Sequence, residues 1–218
     1  MEIYWLGHSS FRIKGKQVSL ITDPFDDPQL GIKFPKVEAE IVTVSHSHND
    51  HNAAGLVKGN PFVISGPGEY EVKGVSVFGI QTFHDQEQGK KRGENTIFLI
   101  EMDYLRVCHL GDLGEILNDQ VLQEINGVDV LMIPVGGFYT IDPELAAELV
   151  AKIEPSIVIP MHFKIPKMGK AFDNLAPVED FLKIMGVGEI QPLPKLVISK
   201  DKLPEERQII LLEMKNEK

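Results

Sequence analysis

Cysteine, tryptophan and positive charge are scarce in this chain. Among 218 residues there is one cysteine, Cys108, and one tryptophan, Trp5. A single thiol cannot close an internal disulfide, so nothing points to an oxidising compartment. Lysine and arginine number 22 against 32 aspartates and glutamates, a formal net charge of −10. A surface of that sign repels phosphate backbones and disfavours nucleic acid as a partner, while a local basic pocket can still hold a small anion. No apolar run approaches the roughly 18 residues that a membrane-spanning helix requires. The opening Met1-Glu2-Ile3-Tyr4-Trp5-Leu6 lacks a basic head and a long apolar stretch, so no signal peptide is read and the cytoplasm is the expected location.

What is present is ordinary for a globular protein: 43% hydrophobic and 25% charged residues, with neither repeats nor low-complexity runs. The length suits one domain, residues 1–218, with a well-buried core. Short β-rich runs are expected at 2–6, 10–14, 17–22, 40–45, 61–65, 70–73, 75–82, 96–101 and 104–109. Residues 23–38, with Pro24, Pro28 and Pro35, read as a surface loop. A short helix is expected over 53–58. In the second half, helical apolar spacing over 113–125 (Ile116, Leu117, Val121, Leu122, Ile125) alternates with a strand at 128–134. A helix follows at 143–153, with Pro143 in its first turn and Asp142 or Thr140 as cap. A strand at 156–160, a loop at 163–177, a helix at 178–185 and a closing strand at 207–213 complete the pattern. Strands first and strand–helix units later suit a layered α/β sandwich.

One segment carries most of the chemistry. Ser45-His46-Ser47-His48-Asn49-Asp50-His51 places three imidazoles and a carboxylate within six residues, directly after an apolar strand. Such nitrogens and oxygens suit zinc, iron or manganese. On an extended start, His46 and His48 share one side because the period is two, and a following turn can send Asp50 and His51 to a second centre. A single histidine there would read as a polar surface loop; the cluster reads as a metal site. The other histidines are His8, His84, His109 and His162. Most of the seven sit at or just beyond strand ends, which on one edge of a sandwich can form a single site.

The order His46-x-His48-x-Asp50-His51, His84, Gly111-Asp112, Pro160-Met161-His162 resembles the metallo-β-lactamase superfamily. The stretches Leu6-Gly7-His8-Ser9-Ser10, Thr22-Asp23-Pro24-Phe25, Arg92-Gly93-Glu94-Asn95-Thr96, His109-Leu110-Gly111-Asp112 and Pro134-Val135-Gly136-Gly137 resemble its small branch of ascorbate-6-phosphate lactonase-like, metal-dependent hydrolases. The resemblance implies a four-layer αββα sandwich with the metals at one edge between the sheets. It assigns His46, His48 and His84 to one ion and Asp50, His51 and His162 to the other, with Asp112 bridging. Two divalent ions about 3.5–4 Å apart can share a hydroxide and grip both the attacking and the leaving oxygen. Zinc is the expected metal, with manganese or iron as alternatives.

Each remaining residue has two readings. Asp23 is either a turn residue before Pro24 or the acceptor for a ligand histidine's second N–H. The family pattern favours the acceptor. His109 competes with His84 for the first ion; His84 is preferred as ligand, and His109 is expected beside the site as a catalytic group that stabilises an oxyanion. His8 is expected near the site, behind the ligands. Gly136-Gly137 makes either an anion nest or a tight turn. Arg92, Lys164, Lys167 and Lys170 are cations near site loops that could bind a carboxylate or phosphate, with a solvated loop as the favoured reading for the lysines. Cys108 reads as a buried strand residue, and residues 66–70 as a turn without chemistry.

The expected reaction is hydrolysis of an ester-like bond (lactone, phosphoester or thioester) in a small-molecule substrate, with Asp50 also orienting or deprotonating the water. The alternatives are a mononuclear-iron oxidoreductase of the persulfide-dioxygenase type and a nonenzymatic metal-binding protein.

Overall fold

The computed structural model describes residues 1–215. Two sheets face each other. The first contains β1 (Glu2–Gly7), β2 (Ser10–Lys14), β3 (Ser19–Thr22), β4 (Ile41–Thr43), β5 (Phe62–Ile64) and β12 (Leu196–Val197), in the order β12-β1-β2-β3-β4-β5. The second contains β6 (Gly68–Val72), β7 (Val75–Phe83), β8 (Glu94–Met102), β9 (Leu105–His109), β10 (Val130–Pro134), β11 (Ile157–Met161) and β13 (Gln208–Ile209), in the order β13-β11-β10-β9-β8-β7-β6. Three helices, α1 (Asp119–Glu124), α2 (Pro143–Ile153) and α3 (Val178–Ile184), lie in the second half.

Side-chain alternation explains the layering. In β8, Phe98, Ile100 and Met102 point into the core between the sheets, whereas Ile97 and Leu99 point outward to the helices. Strand β10 repeats this with Val130 and Met132 against Leu131 and Ile133. A one-residue slip would exchange the two faces, so burial on both sides fixes the register. Ala146, Leu149, Val150 and Ile153 of α2 and Val178, Phe181 and Leu182 of α3 close the outer face. Asp142 caps α2 by accepting from Leu145 N–H at 2.8 Å, with Pro143 in the first turn, as expected. Over the first sheet the cover is thinner. Val37, Ala39 and Val57, from the proline-containing loop and beside a 3-10 turn at Ala54–Leu56, pack on Leu6, Ile21 and Val42.

Strand direction gathers the functional residues. β1 and β3 are each antiparallel to β2, and β4 is parallel to β3. β7 and β9 are each antiparallel to β8, and β10 and β11 continue parallel to β9. Within each sheet these strands therefore end at the same edge. His8 follows β1, Asp23 follows β3, His46 to His51 follow β4, His84 follows β7, Asp112 follows β9 and His162 follows β11.

Three expectations are corrected. The helix read over 113–125 is only α1, capped by Asn118. Residues 113–117 are instead pinned to the end of β7: Gly114 N–H donates to Phe83 O at 3.0 Å and Phe83 N–H to the Glu115 carboxylate at 2.9 Å. The strand expected at 207–213 is regular only at Gln208–Ile209, and the turn expected at 66–70 already enters β6 at Gly68. The two-residue β12, paired with Glu2 and Ile3, was not foreseen. No helix among the described residues is long and apolar enough to cross a membrane.

Candidate metal centre

Asp112 stands at the centre of the site. Its Oδ2 lies 3.2 Å from His51 Nε2, 3.2 Å from His162 Nε2, 3.3 Å from His84 Nε2 and 3.9 Å from His46 Nε2. His46 Nε2 is 3.0 Å from His48 Nδ1. On the other side, Asp50 Oδ2 lies 3.6 Å from His51 Nε2 and 3.3 Å from His8 Nε2. Three sets each bring one possible ligand atom per residue within 4.8 Å of one another: His46, His48 and His84; His8, Asp50, His51 and His162; and His46, His51 and Asp112.

The arrangement fits divalent ions better than it fits itself. Imidazole nitrogens crowd one carboxylate oxygen, and His51 Nε2 and Asp112 Oδ1 are buried without a hydrogen-bond partner. Orphaned buried donors and acceptors are costly, and a cation among them restores their partners. Nitrogen and carboxylate donors are those that zinc, manganese and iron accept.

The charges follow from the same crowding. Burial pushes His46 down to about 3 and His84 to about 4, helped in each case by neighbouring imidazoles. Burial and His162 take His8 to about 4. These rings are neutral at pH 7 and keep a lone pair free. His51 goes the other way: burial disfavours its charge, but Asp112 and Asp50 outweigh burial and raise it well above its ordinary value. Burial would likewise raise Asp112 and Asp50, but the surrounding histidines hold both carboxyls well below the usual range.

A second layer holds the first in place. Buried Asp23 accepts from Ser45 N–H at 2.8 Å, Ser45 Oγ at 2.6 Å and His51 Nδ1 at 2.9 Å. Asn95 Oδ1 accepts the Asp112 N–H at 2.9 Å, and its amide donates to Leu110 O and Thr82 Oγ1. His8, Asp23 and His162 have φ of 51°, 40° and 52°. Three non-glycine residues in the left-handed region around one cluster mark backbone held in place by its surroundings.

His109 does not have the catalytic place expected of it. It is 0% exposed; its Nε2 meets Ser9 O at 2.7 Å and its Nδ1 accepts from Gly111 N–H at 3.2 Å. Both ring nitrogens are thus occupied by backbone, which leaves neither for an oxyanion. His84 sits within the cluster where His109 does not. His8, expected near the site, lies against Asp50 and belongs to the second of the three sets.

A cavity of about 280 Å³ opens over the cluster, lined among others by Asp50, His84, Lys91, Arg92, Tyr139 and Phe172. Of the cations considered, Arg92 borders it; Lys164 is tied to Asp173 at 2.6 Å. Gly136 and Gly137 serve a tight turn: a Cβ on Gly136 would lie 2.1 Å from His162 O, and Gly137 has φ 61°. Cys108 is fully buried, its thiol pushed up to about 12 by burial.

The model of the β-lactamase superfamily domain matches residues 2–162. The chain belongs to the metallo-β-lactamase superfamily. A metallo-β-lactamase superfamily structure from Thermotoga maritima is 39% identical with a TM-score of 0.80, covering 97% of each chain. A UPF0173 metal-dependent hydrolase of Archaeoglobus fulgidus is 30% identical over 75% of this chain and 83% of its own length. Another, of Thermococcus onnurineus, is 29% identical over 85% of this chain and 92% of its own length. Human tRNase Z, short form, at 12% identity and a TM-score of 0.58 over 78% of this chain and 95% of its own, shares the fold.

Sequence reasoning missed Asp85, Ser45 and the role of Asn95. Asp85 accepts backbone N–H groups from Glu87, Gly89, Lys91 and Arg92. Its signal is an aspartate opening a polar, glycine-containing run, the pattern of a side chain that bonds its own loop.

Proposed function

We propose that this metal-dependent hydrolase of the metallo-β-lactamase superfamily holds two divalent ions, zinc foremost, and cleaves an ester-like bond of a small molecule in the cytoplasm. The observation that carries the two-ion reading is the position of Asp112, whose Oδ2 lies within 3.9 Å of four imidazole nitrogens drawn from both halves of the cluster.

His46, His48 and His84 would hold one ion, and Asp50, His51 and His162 the other, with Asp112 between them. His8 stands close enough to Asp50 to hold that carboxylate's second interaction at 3.3 Å. When bound, the ions supply Lewis acidity toward the reacting oxygen and a water acidified into the neutral range. Asp50, a carboxylate at the edge of the cavity, would orient the attacking water by accepting a hydrogen bond from it. Asp23 keeps the His51 Nδ1 proton engaged, which leaves Nε2 for coordination. Tyr139 and Phe172 wall the cavity and exclude solvent from one side.

Metal analysis tests the reading. Purified wild type should contain close to two divalent ions per chain, and Asp112→Ala should lose most of them together with hydrolysis of lactone, phosphoester or thioester probes. A wild type that takes up no metal on reconstitution overturns it.

A further inference from the structure

Arg92 borders the cavity over the cluster and also a second cavity, of about 560 Å³, on the other side of His48. Its position is constructed in three ways. Buried Asp85 grips the loop by four backbone N–H groups, two of them those of Lys91 and Arg92 at 2.9 and 2.8 Å. The guanidinium Nη2 donates to Phe138 O at 2.9 Å, and its carbon lies 5.6 Å from the Tyr139 ring centre. Tyr139 is itself tied by its hydroxyl to Ala171 O at 2.8 Å. Phe138, which offers the carbonyl, has φ 55° and is 54% exposed. A bulky residue in the left-handed region is held there by its surroundings, and the Phe138 ring meets Tyr139 edge-on at 4.7 Å between centres.

No carboxylate among the described residues pairs with this guanidinium, whereas its neighbour Lys91 is paired with Glu87. One of five N–H groups is satisfied by Phe138 O, and the planar fork matches carboxylate or phosphate geometry. Lysine at this position would supply a point charge without the fork.

We infer that Arg92 recognises an oxyanion: the substrate carries a carboxylate or phosphate group away from the bond that is cut, and that group binds the Arg92 guanidinium. This rests on the hydrolase reading for the bond cut, but not for the anion contact. Asp85 and Phe138 act as positioning residues, and Tyr139 and Phe172 pack the body of the substrate. The cavity of about 280 Å³ restricts that body to a small molecule.

The test compares zinc-loaded wild type with Arg92→Gln and Arg92→Lys. Turnover of mono-4-nitrophenyl succinate is measured against neutral 4-nitrophenyl acetate. Calorimetry follows succinate and glycerol 2-phosphate against their neutral counterparts, succinamide and glycerol. Arg92→Gln should lower the anionic-to-neutral ratio of kcat/KM by about tenfold to hundredfold, and weaken at least one anion by the same factor. Arg92→Lys should recover part of both. Which anion responds tells carboxylate from phosphate. An unchanged ratio with unchanged anion affinity overturns the inference and leaves Arg92 a strap between two loops. If wild type hydrolyses neither ester, ester hydrolysis is what fails, and the calorimetry still decides Arg92.

Discussion

Replacing Asp23 with asparagine changes one oxygen to an amide nitrogen and tests how the cluster is tuned from behind. Asp23 accepts three hydrogen bonds, from Ser45 N–H, Ser45 Oγ and His51 Nδ1. An asparagine that keeps its oxygen toward Ser45 N–H must place its NH₂ where Oδ2 stood. The Ser45 hydroxyl can turn to accept. His51 Nδ1 must then accept as well, which moves the ring proton to Nε2, the atom 3.2 Å from Asp112 Oδ2. The flipped amide instead leaves the buried Ser45 N–H facing a donor, at a cost of about 1–3 kcal/mol. Either way the lone pair on Nε2 or the loop that presents it is lost. Loss of a carboxylate behind a ligand histidine costs about 10- to 100-fold in metal affinity, or about 1.4–2.8 kcal/mol. Competition with a calibrated chelator at pH 7.5 measures this directly, and ¹⁵N shifts of His51 report its tautomer. Ser45→Ala, which removes only the hydroxyl, should cost less than tenfold. Zinc affinity of Asp23→Asn within twofold of wild type would refute the reasoning.

The cluster was legible in the sequence because its residues are adjacent: His46, His48, Asp50 and His51 need one turn to meet. His84, Asp112 and His162 are far apart in the chain and could be joined to them only through the motif order that the resemblance supplied. The sheets were legible from period-two burial, as in Val130 to Ile133. The helix over 113–125 was misread because Leu113 and Leu117 are buried for a different reason, in a segment held by the end of β7. Their spacing imitates a helical face. What stayed hidden was support by side chain to backbone. Asn95 holds Asp112 by its N–H, and Asp85 holds four amides of its own loop; neither leaves a hydrophobic period or a spacing rule. The left-handed φ of His8, Asp23 and His162 is equally silent, since non-glycine residues give no warning of it. For His109, chain proximity to Asp112 suggested chemistry, while the fold spends both ring nitrogens on backbone.

Two further outcomes are expected. Asn95→Ala removes the acceptor of the Asp112 N–H and the donors to Leu110 O and Thr82 Oγ1; urea denaturation should show a loss of about 2–4 kcal/mol, with reduced metal content. The second concerns acid. In the chelator-treated chain His8 and His84 lie at about 4 and His46 at about 3, each pushed down first by burial. In the unfolded chain each returns to about 6.5. Between those values the unfolded state binds more protons, so stability falls as pH falls. His51, raised, contributes stability that is already complete below about 6.5 and is lost only at higher pH, so it does not oppose this fall. The depressed carboxyls of Asp23, Asp50 and Asp112 add the same acid sensitivity at lower pH. Urea midpoints of the metal-free protein should therefore drop between pH 6.5 and 4. Zinc should suppress the drop at the upper end of that window, where protons have yet to displace it from the histidines. A metal-free midpoint that stays flat over this range would show that the histidines are not neutral and buried as the fold places them.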